Sequence, residues 1–221
     1  MDMSLAPNKN ALPDKTILAA KFLSPSTAIA LVWVAGSIAA FAQQSQPPAA
    51  PTIASVMEAQ LKVVESQWVP AAEAMPEDKY SFVPVSGGFT GVRTFALELK
   101  HVATANFALY SMILGQAPPH GVSLVGAANG PDDIQTKAQI VSYLKDSFAL
   151  GHQALATLTT GNALTPIPNP PISWMNTRLS MATFAMIHAS DHYGQAVEYL
   201  RLNGIVPPAS QGQPPANPPR K

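Results

Sequence analysis

Four long stretches of helical periodicity, each closed off by glycine or proline, set the tightest limit on how this chain can fold. No run of alternating apolar residues is long enough to build a sheet, so the pattern predicts an all-α protein. The first stretch, from about Thr52 to Ala74, repeats Val56, Leu61, Val64 and Trp68 at roughly helical spacing, with Thr52 as its cap and Pro76 beyond its end. A second runs from Thr90 or Gly91 to Leu114, between Gly87-Gly88 and Gly115. The third opens at Pro131-Asp132-Asp133, where proline and acids suit a helix N-terminus, and ends near Gly161. The fourth follows Pro170-Pro171, with Ser173 as cap and Asn203-Gly204 as a left-handed stop. Helices of about 20–30 residues joined by Gly/Pro loops are expected to form a four-helix bundle over residues 52–204. The connections Pro76–Phe89 and Gln116–Gly130 are longer than an up-down bundle needs and read as crossovers or lids.

Two regions fall outside that body. From Phe22 to Met57 there is no charged side chain, and Thr27 to Ala42 is almost wholly apolar, preceded by Lys9, Lys15 and Lys21 and ending in Ala40-Phe41-Ala42. A basic flank, an apolar run and a small-x-small ending make a signal peptide over residues 1–42, with cleavage after Ala42 and a periplasmic or secreted product. A retained membrane anchor is the alternative, but it wants nearer 20 apolar residues, and Gly36 and Ser37 interrupt this run. Residues 43–51 read as a flexible linker, and 205–221, with three Pro-Pro pairs, as a Pro-rich tail too poor in apolar residues to order itself.

Composition removes several kinds of chemistry. The 221 residues carry 13 basic and 13 acidic side chains, so a nucleic-acid partner, which would demand a basic excess, is not expected. Cysteine is absent, which excludes thiol nucleophiles, Cys-ligated zinc, iron–sulfur clusters and disulfides. Neither a nucleophile elbow nor a P-loop occurs, and Gly87-Gly88 is too short to cradle a phosphate.

The five histidines remain. His120, in a Pro-Pro-His-Gly loop, and His152, after Gly151, read as solvated or capping rings. His188 and His192, four apart on the fourth helix, differ by about 40° around its axis, so both can reach one ion. They share a face with Met181, Phe184, Gln195 and Tyr199. Two buried neutral rings need partners and two charged ones would repel, and a divalent cation answers both demands. His101 sits on an apolar stripe of the second helix with Leu97, Ala105, Ala108 and Met112, facing the bundle interior. Three neutral histidines suit Zn²⁺ or Ni²⁺, with Fe²⁺ or Mn²⁺ as further choices, and leave at least one position open to water or a small-molecule substrate. No Glu follows His188, so this is not an HExxH zincin. Around these rings, Glu98 is the candidate general base, Asp191 a candidate to orient an imidazole, and Tyr193 and Gln195 candidates to bind substrate. Trp68 and Trp174 read as packing anchors, and Tyr199 as core.

The stretch Val92 to Asn106 around His101, the segment His188-Ala-Ser-Asp-His192-Tyr-Gly-Gln195, and the ending Tyr199 to Pro208 together resemble the DinB/YfiT-like superfamily of four-helix-bundle metalloproteins. The resemblance covers about Thr52 to Pro208. It implies a three-histidine site for one divalent metal at His101, His188 and His192, and a homodimer. Some relatives transfer low-molecular-weight thiols to electrophiles, the metal lowering the thiol pKa. The export signal departs from that pattern, because cytosolic thiol cofactors are scarce outside the inner membrane. The sequence is therefore read as a metal-dependent hydrolase or thiol S-transferase, or alternatively as a non-catalytic metal- or ligand-binding helical module.

Overall fold

In the computed structural model, which describes residues 50–126 and 128–212, every long helix begins at a threonine whose hydroxyl accepts a backbone N–H that the helix leaves unpaired. Helix α1 spans Ile53–Ala74 behind Thr52, which exchanges hydrogen bonds with Ser55. Helix α2 is Phe95–Leu114 behind Thr94, α3 is Lys137–Ala156 behind Thr136, and α4 is Arg178–Leu202 behind Thr177. Three of these starts lie further along the chain than the sequence suggested, at Thr94 instead of Thr90, Thr136 instead of Pro131, and Thr177 instead of Ser173. Tertiary partners fix them. The first N–H groups of α2 donate to Phe82 and Tyr80 carbonyls, that of α3 donates to Glu77 Oε1, and those of α4 donate to Thr165 and Ala163 carbonyls. Helix α3 also stops at Ala156, short of Gly161, whereas α2 and α4 end at Gly115 (φ +69°) and Asn203-Gly204 as expected. Among the described residues there is no strand, only an isolated bridge between Pro166 and Thr177.

Side-chain pairs give the topology. Going up α1, Glu65, Glu73 and Met75 meet His152, Lys145 and Lys137 going down α3, so these two are antiparallel. Thr104 with Tyr143, then Asn106 with Ser147, make α2 and α3 parallel. Tyr199 donating to the Arg93 carbonyl, and His188 against His101, make α2 and α4 antiparallel. The neighbours are α2–α3, α2–α4, α1–α3 and α1–α4, while α1 barely meets α2, and α3 barely meets α4. Parallel neighbours joined in sequence need a connection that travels back along the bundle, about 30 Å for a helix of this length. That is why the α2–α3 connection is long, and on the way the Ala128 and Pro131 carbonyls meet His101 and Lys100 of α2.

The core joins Trp68, Phe95, Leu99, Tyr110, Leu144 and Phe148, all fully buried. Gly151 on α3 allows a close approach: a Cβ there would lie 2.7 Å from the Tyr110 ring and 2.9 Å from Leu61. The start of the expected tail is held down, not free. Pro207 is buried, and a 3₁₀ turn at Pro208–Ser210 packs on α1, since fixed proline backbone loses little entropy on ordering. The expected signal peptide, the linker up to residue 49, and residues 213–221 lie outside the described residues. No helix among the described residues is long and apolar enough to cross a membrane.

Candidate metal centre

His101 from α2 meets His188 and His192 from α4 at the seam between these helices. Their three ring nitrogens lie within 4.8 Å of one another, and ring centroids are 4.6–5.0 Å apart. His101 Nε2 is 3.1 Å from His188 Nε2. With metal–nitrogen bonds of about 2.1 Å, that spacing corresponds to an angle of about 95° at a shared ion, between octahedral and tetrahedral. The group could hold one metal ion.

The groups behind the rings aim them. His192 Nδ1 donates to Glu98 Oε2 at 2.7 Å, on a carboxylate only 2% exposed, and His101 Nδ1 donates to the Ala128 carbonyl at 3.1 Å. Both bonds fix the tautomer that leaves Nε2 as a lone pair, the arrangement that metal-ligating histidines adopt. His188 Nδ1 is buried and makes no hydrogen bond among the described residues, so that ring is held by packing, Phe184 lying 5.9 Å from it. Burial, then the other two histidines and Arg93, push the His188 pKa down to about 3. His101 is also lowered, by burial first and then by Arg93 and His192, against the opposing Ala128 carbonyl and Glu98. At neutral pH both rings are uncharged and offer their nitrogens to a cation.

Ala128 belongs to the long α2–α3 connection, which is tied to α2 and to the residue before its cap at three places. Besides His101, Lys100 Nζ donates to the Pro131 carbonyl at 2.6 Å and Arg93 Nε donates to Asn129 Oδ1 at 2.8 Å. Ala128 itself has φ +48°, a left-handed conformation that is strained for a residue with a Cβ.

The other sequence candidates are placed as follows. Glu98 sits behind His192, on the side of the ring away from the shared point. Asp191 is solvent-exposed on α4. Tyr193 turns to α1, edge-on to Trp68 at 5.7 Å, and Trp68 donates to the Ala189 carbonyl. Gln195 Nε2 lies 3.5 Å from His192 Nδ1. His152 is neither solvated nor capping: it bridges Glu58 and Glu65 of α1. His120 is exposed, at φ +59°, against Phe107 and Tyr143. The Ala128 carbonyl escaped the sequence reading because no side-chain pattern marks a backbone oxygen.

A four-helix bundle with two parallel pairs and a three-histidine cluster between α2 and α4 defines a helical-bundle protein equipped to hold a divalent metal. A family model described as the DinB superfamily matches residues 60–196, and the chain belongs to that superfamily. A search of curated proteins finds no match.

Proposed function

We propose that the protein is a metal-dependent enzyme in which His101, His188 and His192 hold one divalent ion, Zn²⁺ or Ni²⁺, and a water or small thiol is activated for attack on an electrophilic substrate. The observation that carries this reading is the convergence of three imidazoles, two of them locked in the ligating tautomer by Glu98 and Ala128. A bound divalent ion supplies Lewis-acid chemistry and lowers the pKa of water or thiol toward neutrality. Three neutral donors leave its positive charge largely undiminished, and at least one coordination position open to a reactant. Glu98 anchors His192, and the α2–α3 connection covers the His101 side of the cluster. Export, as read from the N-terminal segment, favours water over a cytosolic thiol, and therefore hydrolysis. A homodimer is supported by the outer α1–α4 face, where Val56, Val63 and Ile187 are exposed near the uncharged Gln60, Thr183 and Ser190.

Metal analysis of chelator-treated, zinc-reloaded protein tests the reading. One ion per chain is expected, lost in His101→Ala, together with metal-dependent cleavage of an activated ester such as p-nitrophenyl acetate. No binding at micromolar Zn²⁺ or Ni²⁺ would refute the site. Stoichiometric metal without turnover on esters or thiol acceptors would leave a binding module.

A further inference from the structure

The two ends of the bundle differ in charge. At the end where α1 and α4 begin and α2 and α3 finish, Asp, Glu, Lys and Arg are scarce. Helix α1 has none before Glu58, α2 none after Lys100, α3 none after Asp146, and α4, past Arg178, none until Asp191. The opposite end gathers Glu77, Asp78, Lys79, Asp132, Asp133 and Lys137. Residues 157–177, the α3–α4 connection, close the uncharged end. Their backbone is pinned: the Ile167 N–H donates to the Asn176 carbonyl at 2.8 Å, Met175 to Ile172 at 2.9 Å and Leu179 to Ala163 at 2.9 Å. Pro166, Pro168, Pro170 and Pro171 fix further φ angles. On that frame the apolar side chains are sorted. Ala163, Ile167 and Met175 are buried, whereas Leu164, Ile172 and Trp174 stand 73%, 42% and 59% exposed. Trp174 rests edge-on against Phe184 at 5.5 Å, which steadies the ring while leaving more than half of it in water. Large apolar groups held outward by a hydrogen-bonded frame mark a surface with something to bind.

Charge, and the place where the chain arrives, say what that is. No Asp, Glu, Lys or Arg occurs between Asp146 and Arg178, so the loop offers nothing to pair with a charged protein surface. Tryptophan beside aliphatic residues is the composition of the boundary between water and hydrocarbon in a bilayer. The apolar run Thr27–Ala42, read from the sequence as a membrane-entering segment, ends eight residues before Ala50, and Ala50 lies just ahead of α1 at this same end. Eight residues reach at most about 28 Å. We propose that this end of the bundle docks on a lipid bilayer, with Leu164, Ile172 and Trp174 entering the boundary between headgroups and acyl chains. The contact gains free energy by removing apolar area from water, not by ionic attraction, so salt does not weaken it. It uses none of the histidines and is independent of the metal reading.

Trp174 fluorescence with phosphatidylcholine vesicles, with and without bromine on the acyl chains, tests it. The chain is expressed from Met1 with Trp33→Phe, which leaves Trp174 and the fully buried Trp68 as the indoles. Quenching then reads the depth of the loop itself, whether or not residues 1–42 remain attached. Vesicles are expected to move the Trp174 emission to shorter wavelength, and brominated lipid to quench it, equally at low salt and at about 0.5 M NaCl. Leu164→Asp, at an exposed position, should abolish most of that quenching with Tm unchanged. Trp174→Phe should remove the signal altogether. The proposal is overturned if vesicles leave Trp174 emission unchanged, if quenching persists in Leu164→Asp, or if salt abolishes it. It is also overturned if, without lipid, Leu164→Asp or Trp174→Asp converts a dimer to monomer in sedimentation, which would assign the loop to a second copy of the chain.

Discussion

Two histidine environments on opposite seams of the bundle show how neighbours decide what an imidazole does. On the α1–α3 seam, His152 has a carboxylate at each ring nitrogen, Glu58 at Nδ1 and Glu65 at Nε2, one heptad apart on α1. Burial lowers its pKa, but the hydrogen bonds to and charges of the two glutamates outweigh it and the pKa is raised. On the α2–α4 seam the rings face one another, with the Glu98 carboxylate behind His192, and the His101 and His188 pKa values fall. The first arrangement favours the protonated ring. The second disfavours protons on His101 and His188 and could hold a metal ion. His152, Glu58 and Glu65 make no comparable cluster, because the two carboxylates lie at different nitrogens of the ring.

The sharpest way to break the contrast is His188→Ala. It removes one of three ligands, and zinc affinity should fall by about a thousandfold or more by competition titration, with the His152 seam unaffected. Next comes a lesion confined to the other seam. Gly151→Ala would drive a methyl into Tyr110 and Leu61, and chemical denaturation should show a loss of about 2–3 kcal/mol with metal affinity per folded chain unchanged. Glu98→Gln keeps the shape but removes the charge that steadies His192, so zinc should bind about 10–100-fold more weakly.

Acidity separates the seams by sign. In metal-free protein the folded His188 pKa is about 3 against 6.5 when unfolded, so the unfolded chain binds more protons in between, and its contribution to stability is lost as pH falls through that window. His152 runs the other way: its contribution is fully present below pH 6.5 and lost as pH rises through its raised folded value. His152→Ala should therefore destabilise by about 1 kcal/mol at pH 6, a figure reduced for the part-exposed pair, and by less at pH 9 in urea titrations. A pH-independent loss would contradict the ion-pair account. The smallest effect is expected at the strap over His101. Ala128→Gly relieves the left-handed strain and should stabilise by about 0.5 kcal/mol, read as a small rise in Tm, with little change in zinc binding because the carbonyl is retained.

Much of this contrast was visible before any coordinates. The inward stripe at His101 and the four-residue step from His188 to His192 are properties of single helices, and each brings a ring to a seam whatever the rest of the chain does. The reciprocal caps were also written locally, in Thr136-x-x-Gln139 and Thr177-x-x-Ser180, but stronger-looking signals at Pro131 and Ser173 hid them. Glu98 shows the limit. Its helix position alone fits a surface glutamate or a base, and only α4 packed against α2 turns its carboxylate onto His192. His152 was misread for the same reason, since Glu58 and Glu65 lie far from it in sequence.

The chain by itself determined four helices, where most of them end, and which histidines share a face, because periodicity, capping and Gly/Pro stops act over a few residues. Only the tertiary structure decided that α2 and α3 run parallel, and therefore that residues 115–136 must return along the bundle and lay the Ala128 carbonyl on His101. Helix direction depends on which apolar faces bury one another, a sum over distant contacts that no local pattern records.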